Sequence, residues 1–297
     1  EVGKMEKRSG TKRQVALSNR AFILALLGAV FVSATVILFF QSIMGMPKGS
    51  GRNAAKDAPK SSSLSGKKTD SKTVRIMANG DLLYHDGLYM SAQKADGSYD
   101  FSENFTYVED WLHQGDLVLG DFEGTIRSDY PLGGYPLFNA PEAVVSAIKD
   151  AGYQVVDLAH NHILDSGLEG VFTTAKAFED HGISPVGVYT HKNRDKSPIL
   201  IKEVKGIKIA ILAYSYGFNG LESNLSQKEI DHHLSTFDED KMKAEIEQAE
   251  KEADITVVMP QTGIEYQLEP NEEQVALYHK MVDWGADIIF GGHPHVV

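Results

Sequence analysis

From residue 74 onward, short apolar runs alternate with stretches of helical period, and that alternation restricts this part of the chain to an α/β fold. The apolar runs are residues 74–78 (VRIMA), 117–120 (LVLG), 155–159 (VVDLA), 183–188, 199–204, 207–214 (IKIAILAY), 255–259 (ITVVM) and 288–290 (IIF). Their continuous apolar character is that of strands buried on both faces. Helical periods fall between many of them, at residues 105–113, 141–151, 168–181, 238–252 and 270–284; Pro141 opens one, and Gly182 and Gly285 close two others. Residues 199–204 and 207–214 are separated only by Lys205-Gly206 and read as a hairpin. Parallel crossovers plus one hairpin predict a mixed sheet, or a sandwich of two sheets with helices outside. No internal repeat interrupts the pattern.

The first 73 residues have a different organisation. Residues 21–40 (AFILALLGAVFVSATVILFF) carry no formal charge, and at helical rise they would span roughly 30 Å of hydrocarbon. The run exceeds a secretory h-region and lacks a clear small-residue cleavage site after it, so a signal anchor is expected over residues 21–46. Six basic and two acidic residues precede it in residues 1–20, which places that tail in the cytoplasm and the rest of the chain outside. Residues 47–73 are rich in Gly, Ser, Lys and Pro and predict a flexible linker with an r.m.s. span of about 30 Å.

Charge is distributed as unevenly as hydropathy. The chain has 29 basic and 41 acidic residues, net −12. Residues 1–73 hold 13 of the basic and four of the acidic ones, which leaves 16 and 37 for residues 74–297, a net of −21. A folded part that acidic excludes electrostatic binding of nucleic acid, which depends on basic side chains that displace counterions. With 42% hydrophobic residues it is not disordered throughout, and with no cysteine its outer domain relies on its core alone.

Ligands of open α/β sheets gather beyond the carboxyl ends of strands, and here those ends carry metal-binding residue types. Asn79-Gly80-Asp81 follows the first run, Gly120-Asp121-Phe122-Glu123-Gly124 the second, His160-Asn161-His162 the third and Gly291-Gly292-His293-Pro294-His295 the last. An Asp after one strand is commonly a turn residue; four such ends in succession indicate a site. Oxygen ligands mixed with imidazole suit Mn, Fe or Zn better than Ca, and two such ions could lower the pKa of a bridging water to give a hydroxide nucleophile. His293 and His295 flank Pro294 in what reads as extended chain, so both rings should point to one side. Trp111, Trp284, Tyr107 and Tyr278, at helical spacing among apolar neighbours, read as core.

The ordered set MANGDLLYHDGLYMSA, DLVLGDFEGTI, YPLFNAP, VVDLAHNHILDSG, VVMPQTGIEY and ADIIFGGHPHVV resembles the CapA family of bacterial capsule, or poly-γ-glutamate, synthesis proteins over residues 74–297. That resemblance implies a domain related to calcineurin-like metallophosphatases, a sandwich of mixed β-sheets flanked by helices and preceded by one N-terminal transmembrane helix. It implies a first-metal ligand at Asp81, a bridging carboxylate at Asp121 and a further acidic ligand or substrate contact at Glu123. Asn161 would ligate a second ion, His162 would be the catalytic acid or transition-state stabiliser, and His293 and His295 the closing ligands. His85, His160, Gln261 and Glu265 are expected as substrate contacts or supports of the ligands. Two departures matter: His85 is the nearest imidazole to Asp81, and Gln261 stands where many relatives carry His. Gln is a weak transition-metal ligand, which leaves a two-metal site, a one-metal site and a binding role open.

The implied role is in making, exporting or anchoring an anionic surface polymer beside membrane-bound poly-γ-glutamate synthetase subunits. The alternatives are a metal-dependent hydrolase of phosphate esters or wall-polymer linkages, and an inactive scaffold for the synthetase complex. The implied location is the cell membrane, single-pass, with the main domain extracellular. The domain is expected to continue past Val297 with further packing elements.

Overall fold

The computed structural model describes residues 71–190 and 199–296. The expected cytoplasmic tail and anchor, and all but the last three residues of the expected linker, lie outside the described residues. Among those described, no helix is long and apolar enough to cross a membrane.

Two four-stranded sheets form the body. The first, β1 (Ile76–Asp81), β2 (Leu117–Asp121), β3 (Val155–Asp157) and β4 (Ser184–Val186), is parallel throughout and ordered by sequence. The second has β5 (Leu200–Val204) antiparallel to β6 (Ile207–Ser215), then β7 (Ile255–Gln261) and β8 (Ile288–Ile289) parallel to β6 in order. The mixed two-sheet alternative is therefore the observed one. Lys205 and Gly206 have φ of 53° and 74°, the double left-handed conformation of a two-residue turn whose twist matches the strands it joins.

Period-two alternation assigns each strand face. Leu117 and Leu119 of β2, Val155 of β3, Ile209, Ile211 and Ala213 of β6, and Val257 and Met259 of β7 form one buried cluster between the sheets. The intervening residues face helices. Val118 and Val156 join Val144, Val145 and Ile148 of the helix Ala143–Asp150 and Val171 and Phe178 of the helix Gly167–Asp180. On the other side Ala210, Leu212, Tyr214 and Val258 meet Met242, Ile246 and Ala249 of the helix Glu239–Glu252 and Met281 of the helix Glu272–Trp284. The layers are thus helix, sheet, sheet, helix. At Gly187 (φ 89°), just past β4, a Cβ would overlap Ala159 and stand 3.1 Å from Ala213 Cβ, so the two sheets need this glycine to approach.

The N-terminal helical period is shorter than expected. Residues 105–113 contain the end of a 3-10 turn (Ser102–Phe105) and one four-residue helix, Glu109–Leu112. With so little helix to bury, Tyr107 and Trp111 are 92% and 64% exposed and do not belong to the core.

Candidate metal centre

Strands β1, β2 and β3 end side by side in aspartates. Asp81 is in register with Asp121, and Asp121 with Asp157. Asp121 and Asp157 are buried. Burial, then the neighbouring charges of Asp157, Asp81 and Glu123, hold the Asp121 carboxyl well above the usual range. Asp157 is raised by the same burial, although its Oδ1 accepts a 2.6 Å bond from Ala159 N. Asp157 is absent from the residues singled out in the sequence, yet it had a signal: a charged residue inside an apolar strand run.

The second sheet supplies imidazoles to the same place. After β8 the chain passes so close to the aspartates that a Cβ at Gly292 would clash with Asp121 Oδ2 and lie 3.1 Å from Asp81 Oδ1. His293 N donates to Asp81 Oδ1 at 3.3 Å, and His295 Nδ1 is 2.6 Å from Asp81 Oδ2. The two rings do converge, with centroids 6.0 Å apart. The backbone reason differs from expectation: His293 and His295 have φ of 91° and 56°, so left-handed residues, and not extended chain, turn the rings together. Such non-glycine conformations cost of order 1–3 kcal/mol and persist where surrounding contacts enforce them.

Glu123, His293 and His295 offer ligand atoms that all lie within 4.8 Å of one another. Asp121 Oδ1, Glu123 Oε2 and His293 Nδ1 are buried without a hydrogen-bond partner. Burial, then Asp81, Glu265 and Asp165, pushes the Glu123 carboxyl up to about 8, and burial lowers the His293 imidazole. Buried polar atoms are ordinarily bonded, and clustered carboxylates are ordinarily relieved by a cation. The residues therefore fit a divalent ion held by Glu123, His293 and His295, with Asp81 and Asp121 adjoining.

The turn after β3 provides the rest. His162 Nδ1 is 2.7 Å from Asp165 Oδ2, which keeps the proton on Nδ1 and leaves Nε2 facing Glu123 Oε1 at 3.9 Å. Asp165 was not among the sequence candidates, although it stands one helical turn after His162; its Oδ2 also accepts from Phe138 N at 2.6 Å. His160 is fully buried, its Nδ1 accepts from His162 N at 3.1 Å, and burial lowers its basicity, so it braces the turn. Asn161 is clamped by Gln261: Asn161 N donates to Gln261 Oε1 at 2.6 Å, and Gln261 Nε2 donates to Asn161 Oδ1 at 3.1 Å. Asn161 Nδ2 reaches Asn219 Oδ1 at 3.3 Å.

Two candidates stand apart. His85 is exposed and packs edge-on against Phe138, whose ring also contacts His162; it is not among the grouped ligands. Glu265 is exposed and borders, with Asn161 and His162, a cleft of about 300 Å³.

Residues 75–297 match the family described as bacterial capsule synthesis protein PGA_cap. The chain belongs to the PGA_cap family. Among similar proteins, the capsule biosynthesis protein CapA of Bacillus anthracis is 34% identical over 202 residues, 65% of this chain and 48% of that protein. The PGA biosynthesis protein CapA of Bacillus subtilis (strain 168) is 32% identical over 197 residues, 65% of this chain and 51% of its own length. This PGA_cap chain thus spans about half the length of those curated relatives. Among solved structures, the sulfate thiohydrolase SoxB of Thermus thermophilus in complex with glycerol aligns with a TM-score of 0.38 at 15% identity, over 65% of this chain and 32% of that one.

Proposed function

We propose that this chain serves capsule or poly-γ-glutamate biosynthesis at the outer face of the cell membrane, as an anchored domain with a metallophosphatase-type hydrolytic centre. The observation that carries the chemistry is the convergence of Glu123, His293 and His295, with unpartnered buried ligand atoms, beside a His162 whose tautomer is fixed by Asp165. The biological process rests on the family and on the printed names of the two CapA relatives. The membrane location rests on the uncharged residues 21–40.

Glu123, His293 and His295 would hold the ion, with Asp121 as a further carboxylate and Asp81 orienting His295 through Nδ1. When bound, a divalent metal supplies Lewis acidity and a water acidified toward neutral pH. His162 Nε2, directed at the same space, is placed to exchange a proton with a leaving oxygen or nitrogen, and Asp165 holds the ring in that orientation through Nδ1. Both ends of the Gln261 amide are engaged by Asn161, so Gln261 is a structural clamp, and that favours a single ion over a pair.

The test is metal analysis of the purified chain, followed by turnover of phosphodiester, phosphomonoester and γ-glutamyl substrates with added Mn. One equivalent of metal, lost with the replacement His293→Ala, together with turnover lost on His162→Ala, is the expected result. A chain that binds no metal and turns nothing over would leave the scaffold reading.

A further inference from the structure

The cleft over His162 is walled by carboxylates. Among the described residues, Asp165 and Glu265 line it and no Lys or Arg does. Nor, among the described residues, does any basic residue other than histidine line the two neighbouring cavities bordered by Asp81. Burial, then the negative charge of Glu265, with smaller contributions from Glu123 and Glu222, raises the Tyr216 hydroxyl above its usual range. Asp165 Oδ1 and Glu222 Oε2 are buried oxygens without a donor. Of the two, Asp165 lines the cleft, and its unpartnered oxygen there asks for a ligand that brings hydrogens and positive charge. The mouth adds aromatic surface, since Tyr135 borders the cleft and is 78% exposed, and Tyr266, next to Glu265, is 72% exposed. Exposed rings of this kind attract ammonium groups through their faces.

We propose that this cleft receives an ammonium-bearing part of the substrate, held between Glu265 and Tyr135 beside His162, and excludes runs of carboxylate. The proposal deepens the hydrolytic reading by naming what the substrate must carry on the His162 side of the centre. An anionic polymer is then admitted by an amine-bearing end, where an ammonium offsets the adjoining carboxylate, and its carboxylate-rich interior is turned away.

The test uses three sugars of similar size and different charge: glucosamine, N-acetylglucosamine and glucuronate. Each is titrated into the full chain in detergent, with and without manganese, and followed by ligand-observed NMR. Glucosamine should bind more tightly than N-acetylglucosamine by about fivefold, the scale of one partly exposed ion pair, and glucuronate should bind in a manganese-dependent way only. Glu265→Gln should remove most of the glucosamine preference and Glu265→Lys should reverse it, with the far-ultraviolet circular dichroism unchanged. Equal binding of glucosamine and N-acetylglucosamine, or an unaltered preference in Glu265→Lys, would overturn the proposal. Its failure is separable from that of the metal centre: a preference that survives without manganese uptake sinks the metal reading alone, and manganese uptake without the preference sinks this one alone.

Discussion

Replacing Gln261 by Met keeps the side-chain volume and removes both polar ends of a fully buried clamp. Asn161 N then loses its 2.6 Å acceptor and Asn161 Oδ1 its 3.1 Å donor. Ser215 Oγ loses little, because its contact to Gln261 is 3.4 Å and it donates to Gly217 O at 2.8 Å. Two buried groups left without partners cost about 1–3 kcal/mol each, so the variant should be destabilised by about 2–6 kcal/mol. For a domain of this size, with about 2–4 °C of Tm per kcal/mol, that is a fall of roughly 4–24 °C. Urea unfolding followed by circular dichroism measures it, with an unchanged denaturant slope as the sign that only stability moved. A cycle with Asn161→Ala should return a coupling of about 1 kcal/mol for the side-chain bond. If Gln261→Met unfolds within about 0.5 kcal/mol of the parent, a size fitting an unconstrained surface site, the clamp is not what holds the turn.

Three further outcomes are expected. In metal-free protein, the folded-state carboxyl of Glu123 at about 8 lies above its unfolded value near 4.5; its own contribution to stability is therefore full below pH 4.5 and declines up to about pH 8. Glu123→Gln should flatten that decline in thermal melts recorded with chelator. Asp165→Asn removes the carboxylate that fixes His162 and should lower turnover by about 10²-fold while metal content stays the same, read by elemental analysis beside the rate. Gly187→Ala puts a Cβ 2.9 Å from Ala159 N with φ at 89°; this overpacking should cost about 2–4 kcal/mol in urea unfolding.

What the sequence revealed and what it concealed divide along physical lines. Buried strands, the Lys205-Gly206 hairpin and the strand-end carboxylates are local patterns, and each is found in the structure. Asp165 is also local, but it stands beyond the strand end and is marked only by its spacing of three from His162. The pairing of Asn161 with Gln261 spans 100 residues and joins the two sheets, so no period or spacing discloses it. Left-handed His293 and His295 were hidden for another reason: histidine has no requirement for positive φ, and tertiary contacts, those with Asp81 among them, hold the segment. Tyr107 and Trp111 mimic a core stripe, but the four-residue helix that carries Trp111 presents too little surface to bury them.

The centre draws on both sheets, and each sheet comes from its own half of the described chain: β1 to β4 precede residue 187, and β5 to β8 follow residue 199. Neither half holds a complete set of ligands. The first brings Asp81, Asp121, Glu123 and His162, the second His293 and His295. A complete centre therefore requires the two halves to be docked along Leu119, Ile211 and Val257. An ion bound there acts as a latch on that docking, adding about 2.7 kcal/mol at a hundred times its Kd. Metal uptake during refolding would time the moment at which the sandwich closes, and a core substitution between the sheets would delay it without touching a ligand.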